Sequence, residues 1–151
     1  MDTQRFQTDV AQLKQKYHVE GIDRFNGVLL HDFNYPDGWI LQNRKRWRQT
    51  CRRLPRGPGH IAPLMIRLPP NWPRSQPYIY LPQDLRYTKG RVDHILPDDD
   101  APPGFDLWCV ENLGFHPTDP EARLQGFLKL VMASFSYPDK DEPLRYVYEN
   151  R

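Results

Sequence analysis

Apolar residues recur at helical spacing at both ends of the chain and alternate like strands between them. Phe6, Val10, Leu13 and Tyr17 form one stripe, with Gln4, Arg5, Lys14, Gln15 and Lys16 on the other positions, which predicts an N-terminal helix closed near Gly21. Phe25–Phe33 and Gly38–Gln42 read as strands joined by the turn Asn34-Tyr35-Pro36-Asp37-Gly38. Arg46–Leu54 reads as the next strand, with Trp47, Gln49, Cys51 and Arg53 on one face. Ala62, Leu64, Ile66 and Leu68 then alternate with Pro63, Met65 and Arg67, the pattern of a half-buried strand. Four prolines make Pro69–Pro77 a loop, and Tyr78–Leu81 follows as a short strand. Arg86–Asp106 has little periodicity and reads as a long exposed loop, a kind of segment that often carries function. Leu124, Phe127, Leu128, Val131 and Phe135 mark a second helix, Glu121–Phe135, with a capping box from Thr118 to Glu121 and Pro138 beyond its end. The expectation is one α+β domain over residues 1–151, with an antiparallel sheet of about four strands and one face covered by the second helix.

Composition narrows the picture. Sixteen prolines in 151 residues exclude a helical bundle, because helix interiors reject proline. No apolar run is long enough to cross a membrane, and residues 1–17 are too polar for a signal peptide. Cys51 and Cys109 are the only cysteines, too few for a disulfide framework or a CxxC-type zinc site, and a reducing cytoplasm is the expected compartment. No metal or phosphate motif is present, so no cofactor is expected.

The charge is balanced in total and segregated in place. Gly38–Gln83 contains no acid but holds Arg44, Lys45, Arg46, Arg48, Arg52, Arg53, Arg56, Arg67 and Arg74. Val92–Ala122 holds Asp93, Asp98, Asp99, Asp100, Asp106, Glu111, Asp119 and Glu121 and no Lys or Arg. Such segregation suits charged partners, or two segments that neutralise each other in the fold. Arg44-Lys45-Arg46-Trp47-Arg48 has the composition of a nucleic-acid patch, but no nucleic-acid motif accompanies it, and a solvated strand edge is the simpler reading.

Three ordered segments resemble the ubiquitin-conjugating enzyme family. An alternating strand runs into Trp72-Pro73-Arg74-Ser75-Gln76-Pro77, similar to the family's aromatic-Pro-x-x-x-Pro turn. His94 leads a stretch that ends at Trp108-Cys109, similar to the family's histidine-led run into its thioester cysteine. Phe115 and Pro117 precede the second helix, which closes on Tyr137-Pro138-Asp139-Lys140-Asp141-Glu142-Pro143-Leu144. The resemblance covers residues 3–144. Three departures mark the chain: His94-Ile95-Leu96 stands where the family has His-Pro-Asn, the His94–Cys109 stretch is long, and little chain follows Leu144. These features look like those of the divergent bacterial members found beside ubiquitin-like proteins and activating enzymes, often in antiphage operons.

The resemblance implies a fold and a chemistry. Cys109 would carry a ubiquitin-like protein as a thioester, received from an activating enzyme and passed to an amine. His94 would hold the loop by hydrogen bonds. Asp98, Asp99 and Asp100, with Asp106 and Glu111, are the acids available to orient an incoming amine and accept its proton. These acids are expected to disfavour the Cys109 thiolate, which suits a transferase better than a hydrolase. Asn112 is the candidate to replace the absent asparagine as oxyanion donor. Arg5, Lys14 and Lys16 make the first helix basic, and in the family that helix meets the activating enzyme. Two alternatives stand beside this reading: a non-catalytic binding module of the same fold, and a cysteine isopeptidase that pairs Cys109 with a histidine such as His60 or His116. Cys51, set among arginines that would favour a thiolate, has no flanking motif and reads as a strand residue.

Overall fold

The computed structural model describes residues 3–22, 26–57, 59–109 and 123–140. The elements run α1 (Thr3–Lys14), β1 (Val19–Ile22), β2 (Gly27–Asn34), β3 (Trp39–Leu41), α2 (Arg44–Thr50), β4 (Ile61–Arg67), β5 (Tyr78–Pro82), β6 (Leu85–Tyr87), β7 (Ile95–Leu96), β8 (Phe105–Trp108) and α3 (Leu124–Ser134). The class is α+β. Six strands form one antiparallel sheet in the order β1-β2-β4-β5-β8-β7, and β3 pairs with β6 in a separate two-stranded sheet.

The meander β1-β2-β4-β5 supplies four neighbouring strands, and the expected count of about four is exceeded because β8 and β7 extend the same sheet. Strand β7 and the first half of β8 fall in the Arg86–Asp106 segment that reads as loop, since strands of two to four residues are too short to display periodicity. The turn before β3 forms as expected: Gly38 has φ +102°, and a Cβ there would sit 3.0 Å from the Tyr87 and Lys89 side chains.

Two readings of the sequence are corrected. Arg46–Leu54 is no strand: α2 occupies Arg44–Thr50, and the Asn43 side chain caps it by accepting from the Arg46 amide at 3.3 Å. Trp47, Cys51 and Leu54 lie at helical spacing, and that stripe points inward, with Cys51 and Leu54 fully buried. The basic run is therefore part of a helix, and blunts no strand edge. The second correction concerns β4: its residues Ala62 to Ile66 are all buried, so the strand is covered on both faces and is not half-buried.

Helix α3 lies on the sheet through Leu124, Phe127, Leu128 and Val131, and Phe135 follows at its C-cap. It begins three residues after the expected Glu121, with Arg123 at its N-cap; the predicted capping box lies outside the described residues. Its N-cap is tied to α1 by a part-buried ion pair, the half-buried Arg123 donating through Nε to Oδ1 of the fully buried Asp9 at 2.8 Å. Among the described residues no helix is long and apolar enough to cross a membrane.

Candidate functional site

Strand β8 decides where Cys109 goes. Trp108 turns toward α3: its indole N–H donates to Ser134 Oγ at 3.1 Å, and its ring packs on Phe135 at 5.0 Å. Phe105, three residues earlier, turns the other way and meets Trp47 of α2 at 5.2 Å. Alternation then places Cys109 on the face away from α3. Its amide donates to the His94 carbonyl at 2.7 Å, which continues the β7–β8 ladder one residue past the Ile95–Trp108 pair. The thiol is half-buried.

His94 is held from three sides. Its Nε2–H donates to the Lys140 carbonyl, its ring stands edge-on to Trp108 at 5.7 Å, and the amide of neighbouring Asp93 donates to the Pro138 carbonyl at 3.0 Å. The chain after α3 thus fixes the histidine, and the histidine fixes the cysteine backbone. No hydrogen bond joins the Cys109 thiol to an imidazole among the described residues. His60 lies in a separate hollow with Asp37 and Lys89, and His116 is outside the described residues.

The register across the sheet brings in residues that sequence reasoning missed. Ile79 pairs with Trp108, so Tyr78 stands one step on, opposite Cys109; Tyr78 in turn pairs with Arg67. Directly opposed residues have Cβ atoms roughly 5 Å apart. Arg67 stacks its guanidinium over Tyr78 at 4.4 Å and lies 5.8 Å from the Tyr80 ring. A thiol, a phenol and a guanidinium therefore form one row at the end of the sheet. The signal for this row lies in the alternation of β4 and β5, legible only once their register is known.

The acids sort themselves by partner. Asp98 accepts from the Tyr80 hydroxyl at 2.9 Å and from the Asp100 amide at 3.0 Å. Burial, reinforced by that bond to Asp98, pushes the Tyr80 phenol up to about 12. The Asp100 carboxylate lies 3.9 Å from the Arg67 guanidinium. Asp106 accepts from Gln83 Nε2 at 3.3 Å, and Asp99 is exposed. None of these carboxylates hydrogen-bonds the Cys109 thiol; Asp98 and Asp100 reach the site through Tyr80 and Arg67 instead. Glu111 and Asn112 lie outside the described residues.

Comparison with family models, curated proteins and solved structures finds no match. The site must therefore be weighed on its own geometry.

Cys51 has a different environment from the one its arginine neighbours imply. It is fully buried at the C-cap of α2, and burial, with the Glu20 charge second, pushes its thiol up to about 12. In the folded protein a sub-stoichiometric dose of iodoacetamide at pH 8 is expected to label Cys109 and spare Cys51. Peptide mapping that finds Cys51 labelled first would contradict this placement. The sign for stability follows from the same shift. Above the ordinary thiol range the unfolded chain ionises Cys51 while the native state keeps its proton, so this group's contribution to stability declines as pH rises toward 12.

Helix α1 ends at Lys14, short of the expected stripe residue Tyr17, so Lys16 lies in the turn beyond it; Lys14 and Lys16 are exposed and Arg5, on α1, is half-buried. Lys16 Nζ lies 5.5 Å from the Tyr17 ring centroid. Among the described residues no group of three or more His, Cys, Asp or Glu side chains is placed to hold a metal ion.

Proposed function

We propose that the protein is a ubiquitin-conjugating-like transferase of the divergent bacterial type, with Cys109 as its thioester carrier. One observation supports this most: His94 and Cys109, fifteen positions apart, become ladder neighbours through the Cys109 amide and the His94 carbonyl. An anchored histidine beside an accessible cysteine is the arrangement that the resemblance implies.

The chemistry balances without a cofactor. The Cys109 sulfur attacks the carbonyl of a ubiquitin-like protein held as a thioester on the activating enzyme. A new C–S bond forms, the donor's sulfur leaves, and the Cys109 proton is transferred to it. In the second step an amine attacks the same carbonyl, the C–N bond forms, and Cys109 leaves as thiolate and takes up a proton. Tyr78, opposite Cys109 by register, and Arg67, stacked on Tyr78, are the hydroxyl donor and cation we assign to the oxygen that becomes negative in both steps. Asp98 and Asp100 keep negative charge on the same face, where it favours the approach of a lysine ammonium. The test is formation of a reductant-sensitive adduct on Cys109, set out in the Discussion. A non-catalytic binding module of the same fold would form none.

The basic end of α1 is assigned to the activating enzyme. Lys14→Glu with Lys16→Glu is expected to slow loading of Cys109 severalfold at low salt, because exposed charges steer association. Stability should change by no more than about 0.5 kcal/mol, the usual range for exposed positions. Loading rates equal to wild type at low ionic strength would remove this assignment.

A further inference from the structure

A groove of about 680 Å³ opens between α2, the β5–β6 turn and the Pro103–Phe105 segment. Asp84 fixes its floor. One carboxylate oxygen accepts the Trp47 indole N–H at 2.6 Å, and the other accepts the Asn43 amide at 3.2 Å. Trp47 in turn leans edge-on against Phe105. Arg46 and Arg86 complete the lining, together with the amides Gln42 and Gln83 and the hydroxyl of Thr50.

The charge in this groove is not balanced. Neither Arg46 nor Arg86 forms an ion pair with a described residue, and the one carboxylate present is already hydrogen-bonded on both oxygens. Arg86 Nη1 donates to the carbonyls of Gln83 and Leu85, which pins the guanidinium and leaves its other N–H groups for a ligand. Two guanidiniums against one occupied carboxylate leave a positive excess suited to carboxylates, which Arg binds in bidentate fashion.

We infer that this groove binds an extended, acidic peptide segment. Gln42 and Thr50 offer donors and acceptors together, which a peptide backbone requires and a phosphate chain does not. The aromatic pair argues the same way. Trp47 and Phe105 pack on each other, and Phe105 is buried, so they offer little open ring face for stacking bases. Phe105 also shares its face of β8 with Cys109, four residues on, a span of roughly 13 Å along a strand. Resting on the reading of Cys109 as a thioester carrier, the segment belongs to the acceptor, with acidic residues about four positions from the lysine that is modified.

The test uses the full chain and a fluorescein-labelled peptide with four consecutive glutamates and a lysine four residues downstream. A labelled twelve-nucleotide oligouridine serves as the second probe. Anisotropy at low salt is expected to show binding of the peptide by the wild type. Arg46→Glu, whose side chain makes no hydrogen bond with described residues, should weaken it about tenfold or more with an unchanged melting temperature. Arg86→Gln should weaken it by a smaller factor, and Cys109→Ala should bind like wild type. Absence of peptide binding, or binding indifferent to Arg46→Glu, overturns the inference. So does oligouridine binding that depends on Arg46 while the peptide fails to bind. Should Cys109 form no thioester while the peptide still binds through Arg46, the groove stands and only its assignment to the acceptor falls.

Discussion

Cys109→Ala is expected to abolish adduct formation outright. With an activating enzyme, its ubiquitin-like protein and ATP, the wild type should form a species one ubiquitin-like protein heavier that thiol reductants cleave. Cys109→Ser should load more slowly and give an oxyester that reductants leave intact, because the serine hydroxyl is a weaker nucleophile than a thiol. Cys51→Ala should load at the wild-type rate, since Cys51 is fully buried and its thiol is held protonated. Removing a buried sulfur costs packing, so loading is compared at a temperature where both proteins are folded. An adduct that survives Cys109→Ala and disappears with Cys51→Ala would mean that the wrong cysteine was chosen. An adduct resistant to reductants in the wild type would exclude a thioester altogether.

His94 separates the parts of that result. Its Nε2–H is spent on the Lys140 carbonyl, so its role toward Cys109 runs through backbone position and not through the thiol proton. A positioning role of this kind is distinct from the thiolate–imidazolium pair of a cysteine hydrolase, which requires contact between ring and sulfur. The isopeptidase alternative therefore gains nothing from His94 or from His60.

What the sequence made legible follows from how far each interaction reaches along the chain. The stripes of α1 and α3 are local, repeat over several turns and needed no tertiary information. Leu13, Leu124, Phe127, Leu128, Val131 and Phe135 are buried as their spacing predicts. The turn at Gly38 and the strand after the Pro69–Pro77 loop were legible for the same reason. Helix α2 was not, because over seven residues and the cap a helical stripe and a strand alternation share Trp47 and Cys51, and four basic residues mask the difference. Asp9 shows another limit: a carboxylate on a helix reads as solvent-facing, and only the arrival of Arg123 from 114 positions away makes its burial tolerable. At the site, the cysteine and histidine were read from their flanking residues. Arg67 and Tyr78 emerge only from the pairing of β4, β5 and β8, which no single segment encodes.

Phe135→Ala is expected to cost about 3–5 kcal/mol, the usual range for removing a large buried aromatic side chain. The ring is fully buried at the end of α3 and lies 5.0 Å from Trp108, 5.1 Å from Tyr35, 5.6 Å from Trp39 and 6.2 Å from Phe33. These four neighbours are large, and they come from the end of β2, from β3 and from β8, so they have little freedom to collapse into the space. Its carbonyl also accepts the Trp39 indole N–H at 2.9 Å, which anchors the backbone and hinders the cavity from closing. Against a total stability of roughly 5–15 kcal/mol, that loss is a large fraction of the whole. For a chain of this size it corresponds to a fall in melting temperature of roughly 6–20 °C. The effect should reach the site, because Trp108 precedes Cys109 and the segment just beyond Phe135 supplies the carbonyls that hold Asp93 and His94. Loading measured where the variant is still folded should therefore also be slower than wild type. Phe135→Leu, which refills most of the space, should recover most of both losses. A Phe135→Ala variant within 1 kcal/mol of wild type in urea titration would mean that α3 does not cover this face of the sheet.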